Sequence, residues 1–456
     1  MSSPLPSRPG APASSSVRWT VCALLFFATT FNYMDRQVIS YLKEFFCTPA
    51  AQGGFGWTNT DFSNLTSAFT AFYAGMTIIA GLVIDKIGTK LGLAISLVIW
   101  SVFGALNAFA GRMVLMHVAV RSAFGVGEAG NFPASIKTVA EWFPKRERAL
   151  ATALFNSGSN FGAMVAALFV PWCMIHYGDQ KGWKMAFIYT GAVGLLWLIF
   201  WFWLYEPPHK HKGLSQAEHD LIHADDETAL DRTDEDKAKV SWLSLFGYRQ
   251  TLAFVAGKFM TDGVWWFYLF WLPDYLKKQF GMTKHEVMLP TFIVYGVAII
   301  GSVFGGSIPM ALIKRGMQVY QARMLAMLLI ACFPLTVLST QYFGNISRFG
   351  SNASILAVAV ICIGAAAHQA WSANLFTTVS DMFPKKAVGS VTGIGTAAGG
   401  IGGVIVQQLA GYLTDLFKAH PQTAYLIMFV VCALSYLIAW TIMKILVPRH
   451  KPITDL

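Results

Sequence analysis

Residues 141–146 read EWFPKR, and residues 381–386, 240 positions further on, read DMFPKK. Each hexapeptide follows a long apolar run and precedes a glycine-rich one. At the same offset Thr138/Thr378, Val139/Val379, Phe143/Phe383, Pro144/Pro384, Lys145/Lys385 and Gly162/Gly402 coincide. More weakly, SYLKEFF at 40–46 echoes DYLKKQF at 274–280. Chance similarity between apolar sequences does not place the same FPK tripeptide at the same exit twice, so the chain reads as two copies of one unit.

The surrounding composition says what kind of unit. The 456 residues are 55% hydrophobic and 13% charged, with a mean hydropathy of +0.50, whereas a soluble protein carries about 25% charged residues. Apolar runs long enough to cross about 30 Å of hydrocarbon recur throughout, for example Leu91–Ala110 and Ala424–Val447. The expected fold is an all-α integral membrane protein of twelve transmembrane helices in two six-helix pseudo-repeats, the first span at 19–46 and the fourth at 113–140. A disordered Ser/Pro-rich tail is expected at 1–18, an N-terminal six-helix bundle at 19–205, a cytoplasmic linker at 206–249, a C-terminal bundle at 250–447 and a short tail at 448–456. Two parallel repeats about an axis along the membrane normal, with a midplane site between them, describe the major facilitator architecture.

The net charge of +10 does not point to nucleic acid, because membrane proteins concentrate Lys and Arg in cytoplasmic loops. With both termini inside, the outer loops would hold Lys43, Arg112, Lys181, Lys184, Lys277, Lys278, Lys284, Arg348 and Lys418. The inner side would hold more, including Lys145, Arg146, Arg148, Lys314, Arg315, Lys385, Lys386, Arg449 and Lys451. Both termini are therefore expected in the cytoplasm. The six cysteines are scattered with no CxxC or CxxH spacing, so neither a metal site nor a redox pair is indicated. No cofactor is expected.

Function is carried by charge where charge is costly. The first span is uncharged from Trp19 to Met34 and then presents Asp35-Arg36; the fourth contains Arg121 and Glu128. A charge at membrane depth costs at least about 2.5–3.5 kcal/mol, so such residues face a bundle interior or a solute path. Seven residues are almost two helical turns, which puts Arg121 and Glu128 on one face about 10 Å apart along the axis. Arg36 and Arg121 fall at similar depth, with Glu128 nearer the cytoplasm. Two guanidiniums at one level suit a small carboxylate held by a bidentate fork. Asp35 and Glu128, partly desolvated, are placed to take up and release a proton.

Weaker candidates for substrate contact surround these four. Asn32 and Tyr33 share the Arg36 side of the first span, Tyr73 lies mid-span in the second, and Asn156, Ser159 and Asn160 mark the fifth. His368, Trp371 and Asn374 fall at i, i+3 and i+6 in the tenth span; each of these polar groups could equally hydrogen-bond between helices. Lys258 and Asp262, at i, i+4, read as a local ion pair.

The loop GLVIDKIGTK (81–90) resembles the major facilitator pattern G-x-L-x-D-[RK]-x-G-x-[RK], through Gly81, Asp85, Lys86, Gly88 and Lys90. A gating role is implied for these five, with Gly81 allowing close helix approach and Asp85 engaging a helix N-terminus or a base across the bundle. The second-half equivalent has Met310 where an acid is expected. NYMDRQ in the first span, R-x6-E in the fourth, FNSGSNFGA (155–163) and FYLFWLPDYL (267–276) together resemble the anion:cation symporter family, and within it bacterial hexuronate transporters. That resemblance implies a monomeric, proton-coupled importer of a sugar acid such as glucuronate or galacturonate, in a bacterial inner membrane. Other organic anions (an aldonate, an aldarate, an acidic amino acid) and a transport-like sensor stand as alternatives. No nucleophile, metal-ligand set or phosphate loop marks an enzyme.

Overall fold

Pro144 and Pro384 each cap the start of a long helix, and the phenylalanine before each is extended, with φ/ψ of −124°/135° at Phe143 and −115°/146° at Phe383. A proline ring crowds its predecessor out of the helical region, so the FPK tripeptide makes one turn twice. The N–H of each phenylalanine closes onto the carbonyl four residues back, Val139 or Val379. In this computed structural model, which describes residues 16–223, 242–451 and 453, the sequence repeat is a structural repeat.

The first half comprises α1 (Val17–Cys47), α2 (Asn59–Ile87), α3 (Thr89–Leu106), α4 (Val114–Glu128), α5 (Asn131–Trp142), α6 (Lys145–Tyr177) and α7 (Asp179–Leu204). Short helices α8 (Gln216–His223) and α9 (Trp242–Leu245) lie in the connection. The second half comprises α10 (Arg249–Phe280), α11 (Met288–Lys314), α12 (Val319–Cys332), α13 (Thr340–Phe343), α14 (Ile346–Phe349), α15 (Asn352–Met382), α16 (Lys385–Leu416) and α17 (Pro421–Leu446). Among the described residues nine helical segments are long and apolar enough to cross a membrane. The remaining crossings are α1, α10 and the α4–α5 pair, the segments with charged residues in their interiors, which brings the total to the twelve expected. The charged stretch at 224–239 and the tail at 1–15 lie outside the described residues.

The fourth span is not one helix, as the sequence suggested. It stops at Glu128 and restarts at Asn131. Pro133 has no N–H to return to the Ala129 carbonyl, so one bond of the ladder is missing at this break. Gly127 and Gly130 lie so close to α3 that a methyl group on either would sit 2.5 Å from the Trp100 nitrogen or 2.0 Å from the Ser96 hydroxyl. Glu128 is thereby the last residue of one helix rather than a mid-helix side chain.

Packing repeats between the halves: α1 lies on α6 as α10 lies on α16, and α2 on α4 as α11 on α15. The halves meet along α2–α16, α6–α11 and α1–α10. Gly162 and Gly402 are the structural twins of the repeat, since a Cβ at either would lie 2.2 Å from the Thr30 carbonyl or 2.0 Å from the Phe259 carbonyl. Gly402→Ala is expected to destabilise the protein by about 1–3 kcal/mol through overpacking, measured as a lower melting temperature in detergent. Gly81→Ala, where the added methyl would meet nothing within 4 Å, should instead gain up to about 1 kcal/mol of helix propensity.

Among the described residues, every hydrogen bond joining the two halves lies at mid-depth or at the end of the bundle remote from both termini. Mid-depth links are Gln37–Tyr295, Thr70–Gln407 and Asn160–Gln369; the far end holds Lys43–Asp274, Glu44–Lys277 and the Asp415 contacts to α2. The bundle is pinned shut at that end. At the terminal end α8 of the connection is tied to the first half, whereas α9 packs against α16 of the second. There the Glu218 carboxylate of α8 accepts from the first N–H groups of α1, at Val17 and Arg18, and from the Arg18 guanidinium at 2.8 Å. An acid at a helix N-terminus satisfies donors that have no intrahelical acceptor.

Candidate functional site

Arg36 sits halfway along α1 and is 2% exposed. Its Nε donates to Glu128 Oε2 at 2.8 Å, its Nη2 lies 2.8 Å from the same oxygen in an ion pair, and Nη2 donates to Asn32 Oδ1 at 3.4 Å. The planar guanidinium is boxed by four rings, Tyr33 at 4.3 Å, Tyr73 at 4.7 Å, Trp266 at 5.2 Å and Phe69 at 5.4 Å. Aromatic faces offer negative quadrupole to a cation, so the box compensates part of the desolvation that a buried ion pair costs. Three of the rings come from the first half; Trp266, on α10, comes from the second.

Arg121 lies at the level of Arg36, as its place in the fourth span implied, and its Nη2 donates to the Arg36 carbonyl at 3.1 Å. Its guanidinium stacks over Phe124 at 4.6 Å. The two guanidiniums take different partners, Arg121 the Arg36 carbonyl and Arg36 the Glu128 carboxylate. Arg36 reaches along the bundle and meets the Glu128 carboxylate, the two side chains together covering the separation between their levels. Asp35, one residue from Arg36, points away from it, since neighbours on a helix diverge by about 100°. Its carboxylate lies beside Thr190 of α7 and over Gly104 of α3, within the first half. Glu128 Oε1, Arg121 Nη1, Asn32 Nδ2 and both Asp35 oxygens are buried and make no hydrogen bond among the described residues. This cluster of buried hydrogen-bonding atoms, charged and concentrated at mid-depth, is what a polar solute would need.

The remaining sequence candidates divide. Asn160 Oδ1 accepts from Gln369 of α15 across the interface at 3.5 Å, with Ser159 buried beside it. Asn156 is exposed and joins none of these groups. His368 turns into the second half, where its Nδ1 pairs with the Tyr436 hydroxyl at 2.8 Å and its ring stacks on Trp265. Trp371 packs edge-on to the same tyrosine. Asn374 donates to the Gly305 and Ala370 carbonyls at 2.9 Å each. These three form one face, but it seats α15 against α11 and α17 rather than reaching Arg36. Lys258 and Asp262 form the expected local pair at 2.5 Å.

In the loop motif, Gly88 has φ +84°, a region glycine enters without strain, and it turns α2 into α3. Asp85 pairs with Lys137 of α5 at 2.9 Å and is largely exposed, so it engages a base of its own half. Lys90 pairs with Glu206, and Lys86 is exposed. Gly81 makes no close helix approach: a methyl there would meet nothing within 4 Å. Met310 is exposed; in the second half the comparable tie between helix ends is Arg323–Asp381 at 2.6 Å.

Sequence reasoning missed Phe69 and Trp266, whose aromatic character does not stand out within apolar spans, and Gln37, whose Nε2 meets Tyr295 of α11 at 3.1 Å. Gln37 adjoins the Asp-Arg pair and is a polar group at depth, which was a usable signal.

The chain is 29% identical over 430 residues to the "Hexuronate transporter" of Escherichia coli (strain K12), covering 94% of each chain. It is 31% identical over 294 residues to the "Galacturonate transporter" of Dickeya chrysanthemi, covering 64% of this chain and 82% of that one. Among solved structures, the D-xylose-proton symporter superposes with a TM-score of 0.72 at 17% identity, over 96% of this chain and all of the other. The Major Facilitator Superfamily model matches residues 25–407. A family match over most of the sequence, on a fold of twelve helices in two repeats, establishes that the chain belongs to the Major Facilitator Superfamily and is a membrane transporter rather than an enzyme.

Proposed function

We propose that this transporter is a proton-coupled symporter importing a sugar acid, a hexuronate such as glucuronate or galacturonate, by alternating access. The observation that carries this reading is the Arg36 fork, buried at mid-depth, spent on a single Glu128 oxygen and boxed by rings from both halves. A sugar acid matches that arrangement part by part. Its carboxylate suits the guanidinium, its ring faces suit the aromatic walls, and its hydroxyls suit Tyr33, Tyr73, Asn32 and Asn160. The names of the relatives favour a hexuronate within this class.

Coupling follows from competition for Arg36. While Glu128 is ionised it occupies the fork; once protonated it releases the fork to the substrate carboxylate. Asp35, in the first half beside Thr190, is the second proton site and influences Arg121 through space. The bodies that rock are residues 19–205 and 250–447, with a monomer as the working unit, in a bacterial inner membrane. The excess of basic residues at the terminal end supports a cytoplasmic placement of both termini. The pinned far end is then periplasmic, and the conformation is inward-facing. The loop residues Gly81, Asp85, Lys86, Gly88 and Lys90 gate the cytoplasmic side, with Asp85 exchanging Lys137 for a partner in the other half when that side closes.

The test is uptake of labelled glucuronate into proteoliposomes in competition with galacturonate, galactonate, glucarate, glutamate and xylose. Hexuronates are expected to compete best and xylose, which lacks a carboxylate, not at all. Preferential competition by an aldonate, an aldarate or glutamate would transfer the assignment to that anion.

A further inference from the structure

Lys43 was expected in an outer loop, yet it is 1% exposed, on α1 between the two halves. Its ammonium donates to Asp274 of α10 at 2.6 Å and to Asn59 of α2 at 2.8 Å, and lies 4.3 Å from the Trp271 ring centre. Lys43 follows Arg36 by seven residues, nearly two turns, so it stands on the same helix face about 10 Å further out. A line drawn from the outer mouth to the central arginine passes it.

The pair is asymmetric. Asp274 also takes Lys278 at 3.1 Å and the Tyr425 hydroxyl, both from its own half. Were the halves to part, Asp274 would keep a cation and a hydroxyl. Lys43 would lose its carboxylate and the Trp271 face together, keeping only the neutral Asn59 oxygen and the more distant Phe62 ring at 5.6 Å. The neighbouring ties at this end also cross between halves: Glu44–Lys277 at 2.6 Å, Asp179–Lys284, and Asp415 receiving the Asn59 and Thr60 N–H groups at 2.9 and 2.7 Å. Opening this end therefore frees one partly desolvated ammonium on the entry path, while its former partner stays satisfied.

We propose that Lys43 is a carboxylate-binding way-station at the outer mouth, held by Asp274 when that mouth is shut and by the incoming anion when it opens. The inference rests on the reading of the cargo as a sugar acid entering from the far end. It adds a second anion site to the central one and makes Asp274 and the substrate competitors for a single ammonium.

The competition predicts opposite effects from two variants that break the same pair. KM for glucuronate should be measured from each face, in right-side-out and inside-out vesicles, with monodispersity checked first. Lys43→Gln is expected to raise the outer-face KM about tenfold or more, the loss of one charge-assisted bond, and to leave the inner-face KM within about twofold. Asp274→Asn should lower the outer-face KM, because the competitor is gone. If both variants shift the outer-face KM in the same direction, the pair is only a latch and the way-station is wrong; an unchanged outer-face KM in Lys43→Gln overturns it equally. Should Lys43→Gln not fold, Lys43→Arg takes its place, expected to keep the outer-face KM within about threefold of wild type, and a raised or unchanged outer-face KM in Asp274→Asn still refutes the proposal. Wild-type protein that transports no sugar acid would instead refute the cargo reading, and the way-station with it.

Discussion

Arg36→Lys is expected to weaken sugar-acid binding about ten- to a hundredfold, the equivalent of roughly 1.5–3 kcal/mol for a charge-assisted hydrogen bond lost in a partly dry site. The charge is conserved, so a purely electrostatic role predicts little change. Geometry decides otherwise. The guanidinium is planar, meets Glu128 Oε2 with both Nε and Nη2 at 2.8 Å and lies among four rings. An ammonium is a compact, strongly hydrated point charge that neither forks nor stacks. Isothermal titration of the purified variant with glucuronate measures this directly, and affinity within threefold of wild type would contradict direct contact between Arg36 and the substrate.

Glu128→Gln is expected to separate exchange from accumulation. The amide stands for the permanently protonated acid, cannot hold Arg36 through an ion pair, and leaves the fork free for the substrate. Counterflow between labelled and unlabelled glucuronate should persist, while uphill uptake driven by a pH gradient should be lost. A purely structural role for the Arg36–Glu128 pair predicts a different outcome. Removing one partner of a buried pair costs about 3–5 kcal/mol, so monodispersity and all transport would fall together. Both assays belong on the same reconstituted preparation. Normal accumulation under a pH gradient would exclude the coupling role.

The sequence carried the fold because its signals are strong and local. Apolar runs of membrane length and a twice-used FPK turn are both direct consequences of backbone chemistry, and the helices fall where the runs do. The fourth span was read as one run over 113–140 from its apolar length, and the break at Ala129–Gly130, just before Pro133, was not read from it. At the site, Arg36, Tyr33, Tyr73, Asn32, Arg121 and Glu128 were legible because charge at depth is costly and therefore conspicuous. Trp266 and Phe69 were not, since a ring in an apolar span is ordinary until a cation stands over it. Lys43 was counted with the outer-loop basic residues; its partner is 231 residues away, and no local pattern joins them. For His368, Trp371 and Asn374, periodicity found a true face of α15 but could not say which neighbour that face meets.

The pH dependence of wild-type transport follows from the same competition. On the proposed competition, an outside-acid gradient would keep Glu128 protonated on the loading side and ionised on the releasing side, driving substrate inward. The most direct measurement is labelled glucuronate uptake into proteoliposomes under an imposed outside-acid pH gradient, with and without protonophore, in sodium-free buffer. Accumulation above the external concentration that collapses with protonophore is expected. Uptake that ignores the protonophore and requires sodium would contradict a carrier built on a proton exchanged for a carboxylate at Arg36.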